Sequence, residues 1–258
     1  MRRSRPVLMA WCCCLALGAA TATARATPGT DKDNAACGAP ADLLRPDMPL
    51  GGAASGVATG RLRIFAVGSA SVLGAGSSGE ATAWPTRLGQ LLREAMPGVE
   101  VEVRVRGGRG LSTADQWGLI AEALRNGPPP NLVIWQAGAT EAARGLPIDA
   151  LTDALVPGLD RLRARGIDTV VMDLQFSRFL RANTDVPAYR EALSVAAAAA
   201  SVPLFDRWEL MKAWADAERV DVERAPRERR TAAVDLLNDC IARALTAFLL
   251  DGIREARR

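Results

Sequence analysis

The chain has 258 residues, 49% of them hydrophobic and 24% charged, with a formal net charge of +3. That much apolar material supports one sizeable core. Histidine is absent altogether, which excludes imidazole as a general base or a metal ligand anywhere in the protein.

The amino terminus reads as a secretory signal. Arg2, Arg3 and Arg5 form a basic start, Val7 to Ala20 an apolar run, and Ala24-Arg25-Ala26 a cleavage site. Cleavage after Ala26 would deliver a secreted or periplasmic protein. The alternative is an uncleaved anchor, but the run falls short of the roughly 20 residues that cross a bilayer. Cys12, Cys13 and Cys14 lie inside this run, and bulky Trp11 before Cys12 argues against a lipoprotein site. Losing residues 1–26 removes four arginines and no acid, taking the formal charge from +3 to −1. The basic balance is therefore no argument for a nucleic-acid partner. Cys37 and Cys240 would remain, either as a disulfide in an oxidising compartment or as two free buried thiols. Residues 27–60, rich in Gly, Ala, Pro and Asp, predict an extended arm, partly disordered or wrapped on a domain at 61–258.

From Arg61 onward, strand-like and helix-like segments alternate. Apolar runs fall at Leu62–Val67, Val99–Val105, Leu132–Ala137, Thr169–Leu174 and Val202–Phe205. Helical periods fall at Ala83–Ala95, Thr113–Arg125, Ile148–Arg165 and Pro187–Ala200, then at Trp208–Ala217 and Thr231–Glu255. Ser112 or Thr113 suits a helix cap, and Gly166 a helix stop. Five strands alternating with helices predict a three-layer α/β/α, doubly wound, flavodoxin-like parallel sheet. In such a sheet the strand carboxyl ends share one edge, where sites are built. This brings together three turns: Gly68-Ser69-Ala70-Ser71, Arg106-Gly107-Gly108-Arg109-Gly110 and Gly138-Ala139-Thr140-Glu141.

These three turns, in this order, resemble the SGNH (GDSL-like) hydrolase family, over roughly residues 61–255. The stretches Trp135-Gln136-Ala137-Gly138, Val202-Pro203-Leu204-Phe205 and Trp208-Glu209-Leu210-Met211 are similar to its secreted bacterial members. The resemblance implies an SGNH hydrolase fold and ester chemistry with no cofactor. It also locates the positions that carry that chemistry, and most are altered here. The nucleophilic serine position is Ala70. The oxyanion-hole glycine is matched by Gly110, while the oxyanion-hole asparagine position is Thr140. The Asp and His positions of the final block fall on Ala233 and Leu236, with Asp235 reachable by a register shift. A serine hydroxyl is a weak nucleophile until a base takes its proton. The expectation is a pseudoenzyme with a binding or accessory role in envelope or polysaccharide chemistry, whose partner is a small acylated or glycan ligand. The alternative is a weak ester or acyl-ester hydrolase using Ser69 or Ser71, with Glu141 or Asp235 as base. Adjacent strand residues point to opposite faces, so neither serine is expected to inherit the place of Ala70.

The remaining features read more plainly. Ser69, Ser71, Gly110, Thr140 and Glu141 are the candidate ligand-binding set, although Glu141 fits better as a cap on the following helix. Arg224–Arg230 reads as a solvated loop with Glu223 and Glu228 as internal partners, rather than as a polyanion site. Trp84, Trp117, Trp135, Trp208 and Trp214 read as packing residues rather than a carbohydrate platform. No metal site is expected.

Overall fold

A computed structural model describes residues 37–258. The signal expected at 1–26 and the first part of the expected arm, 27–36, lie outside the described residues. Five parallel strands form one sheet in the order β2-β1-β3-β4-β5: β1 Arg61–Gly68, β2 Glu100–Gly107, β3 Leu132–Gln136, β4 Asp168–Met172 and β5 Leu204–Phe205. The strand order reverses between β1 and β3, the switch point of a flavodoxin-like sheet. The alternation read from the sequence therefore holds, with boundaries displaced by at most two residues.

Both faces of the sheet are covered. On one face Leu62, Ile64, Ala66, Leu132, Ile134 and Val170 pack under α1 (Gly51–Ala58), α2 (Trp84–Ala95) and α9 (Arg230–Glu255). On the other, Phe65, Val67, Val133, Trp135 and Val171 pack under α3 (Thr113–Arg125), α5 (Ile148–Arg163) and α7 (Val186–Ala199). Successive strand residues serve opposite cores, which is why the strands read as continuous apolar runs rather than alternating ones. Two short helices, α4 (Ala139–Arg144) and α6 (Arg178–Asn183), and α8 (Arg207–Asp216) complete the chain. No described helix is long and apolar enough to cross a membrane.

The arm departs from its expected extended form, because residues 51–58 are helical. The glycines that argued against a helix are what let it pack. A Cβ on Gly52 would lie 2.9 Å from the carbonyl oxygens of Asn131 and Gly166, and one on Gly56 would lie 2.7 Å from the Asn131 amide carbon. The start of α1 is held by a residue distant in sequence: Ala53 N–H donates to Asp168 Oδ2 at 2.8 Å. Burial pushes the Asp168 carboxyl up, opposed by the backbone N–H groups of Ala53 and Gly52.

Cys37 and Cys240 are joined in a disulfide, with their Cα atoms 5.5 Å apart. It fastens the arm to the buried side of α9, where Cys240 is fully enclosed. Closing a loop between residues 203 apart in sequence restricts the unfolded chain strongly. Reducing the bond, or replacing both cysteines by serine, should cost about 2–5 kcal/mol. We expect this as a fall in Tm of about 5–15 °C by calorimetry, given the size of the domain.

Candidate functional site

The site begins with glycines at the ends of β1 and β2. A Cβ on Gly107 would sit 2.4 Å from Val72 Cγ2 and 2.6 Å from the Gly68 carbonyl oxygen; one on Gly68 would sit 2.7 Å from Gln136 Cβ. Two bare positions side by side allow the chain after β1 to fold down over the sheet edge. It does so as a 3-10 turn over Ala70–Leu73, flanked by extended Ser69 and by Gly74 at φ 74°. Val72 points inward as the buried anchor.

This geometry corrects the opposite-faces expectation for the serines. The strand ends at Gly68, and a tight turn advances side chains around an axis instead of alternating them. Ser69, Ala70 and Ser71 all line one cavity of about 530 Å³. Gly110 (φ 76°), Thr140, Arg109 and Arg144 line the same cavity. Leu174, Ser177, Phe179 and Leu180, from the region after β4, close its other side.

Behind Ser71 is an arrangement that sequence reading missed. Arg207, the first residue of α8, is 1% exposed. With the Gln136 amide oxygen turned toward it, that oxygen accepts from both terminal nitrogens of Arg207 at 2.8 and 2.9 Å. The Gln136 nitrogen then donates to Ser71 Oγ at 2.9 Å, while Arg207 Nη1 lies 3.5 Å from the same hydroxyl. The opposite amide orientation would set N–H groups against N–H groups. Burial lowers the Arg207 guanidinium to about 10, opposed by the charge of Asp173. It remains a cation at neutral pH. Ser71 Oγ thus accepts from the Gln136 nitrogen, and its own proton goes to the Gln136 amide oxygen at 2.8 Å, an acceptor far too weak to act as a base.

Asp173, just past β4, supplies the balancing charge. It accepts from Trp208 N–H and from Arg190 Nε, both at 2.9 Å. Arg190 also binds Asp206 and Glu209, drawing α7 onto the start of α8. Burial of Asp173 and the neighbouring Asp206 charge push its carboxyl from 3.8 up to about 7, against the pull of Trp208 N–H and Arg190. A second cavity of about 450 Å³ opens beside this network.

The other candidate positions do not reach the main cavity. Glu141 is fully buried and caps a helix, but not the one expected: its Oε1 accepts from Thr113 N–H at 2.6 Å, at the start of α3. It therefore lines no ligand space. Ala233 and Leu236 lie within the first two turns of α9, and neither lines the cavity; Leu236 is 46% exposed. Asp235 accepts from Ser78 N–H at 2.9 Å and pins the 74–79 loop, and Asp239 binds Arg87 and Arg243. Glu223 does not serve the arginine-rich loop; it accepts from Ser177 Oγ at 2.6 Å and from Arg178 N–H at 2.9 Å. Trp84, Trp135, Trp208 and Trp214 are buried, as packing residues should be, and Trp117 stacks on Trp135. The described residues hold no cluster of metal-ligating side chains.

A family model described as the Non-GDSL lipase-like family matches residues 36–255. No curated protein matches the chain. Among solved structures, AlinE4, a SGNH-hydrolase family esterase, is 22% identical with a TM-score of 0.52; the match covers 72% of this chain and 97% of that one. TesA is 18% identical with a TM-score of 0.55, covering 71% and 97%. A single-residue variant of an acetyl xylan esterase from Geobacillus stearothermophilus is 12% identical with a TM-score of 0.57, covering 72% and 95%. At these identities the likeness is one of fold.

Two outcomes follow from this geometry. The triple variant Ala70→Ser, Ala233→Asp, Leu236→His should gain less than about tenfold in kcat/KM on p-nitrophenyl acetate, because α9 holds its two partners away from the cavity and misplaced groups contribute little. For Asp173, the folded carboxyl sits above its ordinary 3.8 at about 7. The folded state therefore binds the extra proton between those values, and the stability is complete below 3.8 and lost as pH rises toward 7. In denaturant titrations from pH 4 to 7, wild type should lose stability relative to Asp173→Asn by up to about 1.4 kcal/mol per pH unit.

Proposed function

Because the chain belongs to the Non-GDSL lipase-like family, with an SGNH-hydrolase fold, we propose that it has kept the family's cavity and given up its hydrolytic chemistry. On this reading it is a secreted protein that binds a glycan or acylated glycan in envelope or extracellular-polysaccharide chemistry. The observation that carries the proposal is the composition of the cavity wall. At the sheet edge, where a nucleophile and base would stand, there are Ala70, the hydroxyls of Ser69, Ser71 and Thr140, and no carboxylate, in a chain without histidine.

A serine needs a partner that accepts its proton. Ser71 has instead the neutral Gln136 amide, its nitrogen at 2.9 Å and its oxygen at 2.8 Å, and a guanidinium at 3.5 Å. Glu141 and Asp235, the carboxylates considered in place of histidine, are committed to Thr113 and Ser78. What remains suits recognition: a half-open space of about 530 Å³ with a few convergent polar groups, Ser69, Ser71 and Thr140, beside apolar walls. The secretory signal and the disulfide support an extracytoplasmic location. The second reading, a weak esterase using Ser69 or Ser71, draws on the placement of both hydroxyls in the cavity.

An array of neutral, acidic and acetylated glycans separates the two, run beside p-nitrophenyl ester hydrolysis. We expect saturable binding of at least one glycan class and a hydrolysis rate that Ser69→Ala and Ser71→Ala change by less than about twofold. Absence of any glycan binding would end the binding reading; a fall of about 100-fold or more in either serine variant would establish the esterase.

A further inference from the structure

We infer that the ligand of this cavity is an acidic sugar, its carboxylate or phosphate held by Arg109 and Arg144. The inference rests on the glycan-binding reading above and adds the charge class of the ligand.

The cavity wall carries two guanidinium groups and no carboxylate. Arg109 follows β2, and Arg144 ends α4 with its Nη2 lying over Gly110, 2.7 Å from where a Cβ would stand. Both arginines are exposed, and among the described residues neither is engaged in an ion pair or a side-chain hydrogen bond. The acids nearby are occupied elsewhere. Asp115, whose carboxyl feels the charge of Arg144, binds Ser112 N–H and Oγ at 2.9 and 2.7 Å. Glu223 is turned to Ser177 and Arg178. Buried Arg207 stands behind the floor and reaches toward Ser71, but its charge is offset by Asp173, so the unpaired charge at the wall is that of Arg109 and Arg144. Uncompensated positive charge in a partly enclosed space favours an anion, because field lines there are less screened than on an open surface. Guanidinium forks match planar or tetrahedral oxyanions.

The rest of the wall suits a sugar body. Ser69, Ser71 and Thr140 offer hydroxyls that both donate and accept, as sugar hydroxyls require. Across from them Phe179 lines the cavity with 67% of its surface exposed, an unusual place for a phenyl ring. A pyranose has an apolar C–H face that could cover it. Neither a neutral acyl ester nor a bare inorganic anion would use both halves of this wall.

The test is isothermal titration of the purified protein with glucuronate, galacturonate and mannuronate trisaccharides, with glucose 6-phosphate, and with the carboxyl-reduced, neutral trisaccharides. We expect at least one acidic sugar to bind about tenfold or more tightly than its neutral counterpart, with the gap shrinking in 0.5 M NaCl. Arg109→Gln with Arg144→Gln should abolish that gap, and Phe179→Ala should weaken acidic and neutral sugars alike. All three positions are exposed, so unchanged melting temperatures will establish that the variants are folded. A uronate preference would name the carboxylate, and a preference for the sugar phosphate would name the phosphate. Equal affinity for neutral and acidic sugars, or a preference that survives the double arginine variant, would overturn this inference and leave the glycan reading standing. Binding of none of these sugars, acidic or neutral, would overturn both.

Discussion

A guanidinium with almost no exposure to solvent stands directly beneath the sheet edge, and much of the surrounding architecture answers to it. Burying a cation costs several kcal/mol unless its hydrogen bonds and charge are met. Arg207 meets the first need through Gln136, at the end of β3, and the second through Asp173, just past β4. Asp173 is itself buried and must be held, by Trp208 N–H and by Arg190. Arg190 in turn gathers Asp206 and Glu209. One chain of polar contacts therefore runs from the cavity floor at Ser71, through β3 and the end of β4, to α7 and the start of α8. Such networks are costly when incomplete, and here Arg207 Nε has no partner among the described residues. The chemical effect falls on Ser71, whose proton faces a neutral amide oxygen where a nucleophile would face a base.

The second controlling element is α9. It runs unbroken from Arg230 to Glu255 and carries Cys240 into the core, where the disulfide fixes it to the arm. Family resemblance puts the Asp and His positions in its first two turns. A helix beginning this early directs those positions along its own surface, and Asp235 is used to hold the 74–79 loop.

Much of the frame was legible in the sequence because it rests on local patterns. The five apolar runs, the glycine turns and the caps at Ser112 and Gly166 depend on spacing of a few residues, and the sheet followed from them. The pairing of Cys37 with Cys240 was open in the sequence and is settled by the fold. The misses share a cause: each depends on a contact between distant residues. Helix α1 forms from a glycine-rich segment because Asp168, over a hundred residues away, caps it. Glu141 caps α3 rather than its own helix because the β3 turn lies against Thr113. Arg207 looked like any charged residue at a helix start; only the sheet shows that it points inward. Within the candidate site, Ser69, Ala70, Ser71, Gly110 and Thr140 were legible from the turns, whereas Arg144, Phe179 and the Gln136–Arg207 pair were not.

On the binding reading proposed above, no hydroxyl at this sheet edge is an activated nucleophile. Treating the folded protein with a fluorophosphonate probe and reading intact mass, followed by peptide mapping, decides this. The account predicts no stoichiometric adduct after prolonged exposure, from a sample whose melting temperature is unchanged. A stoichiometric adduct on Ser69 or Ser71 would contradict it, since covalent capture at one hydroxyl requires the activation that Gln136 and Arg207 do not supply.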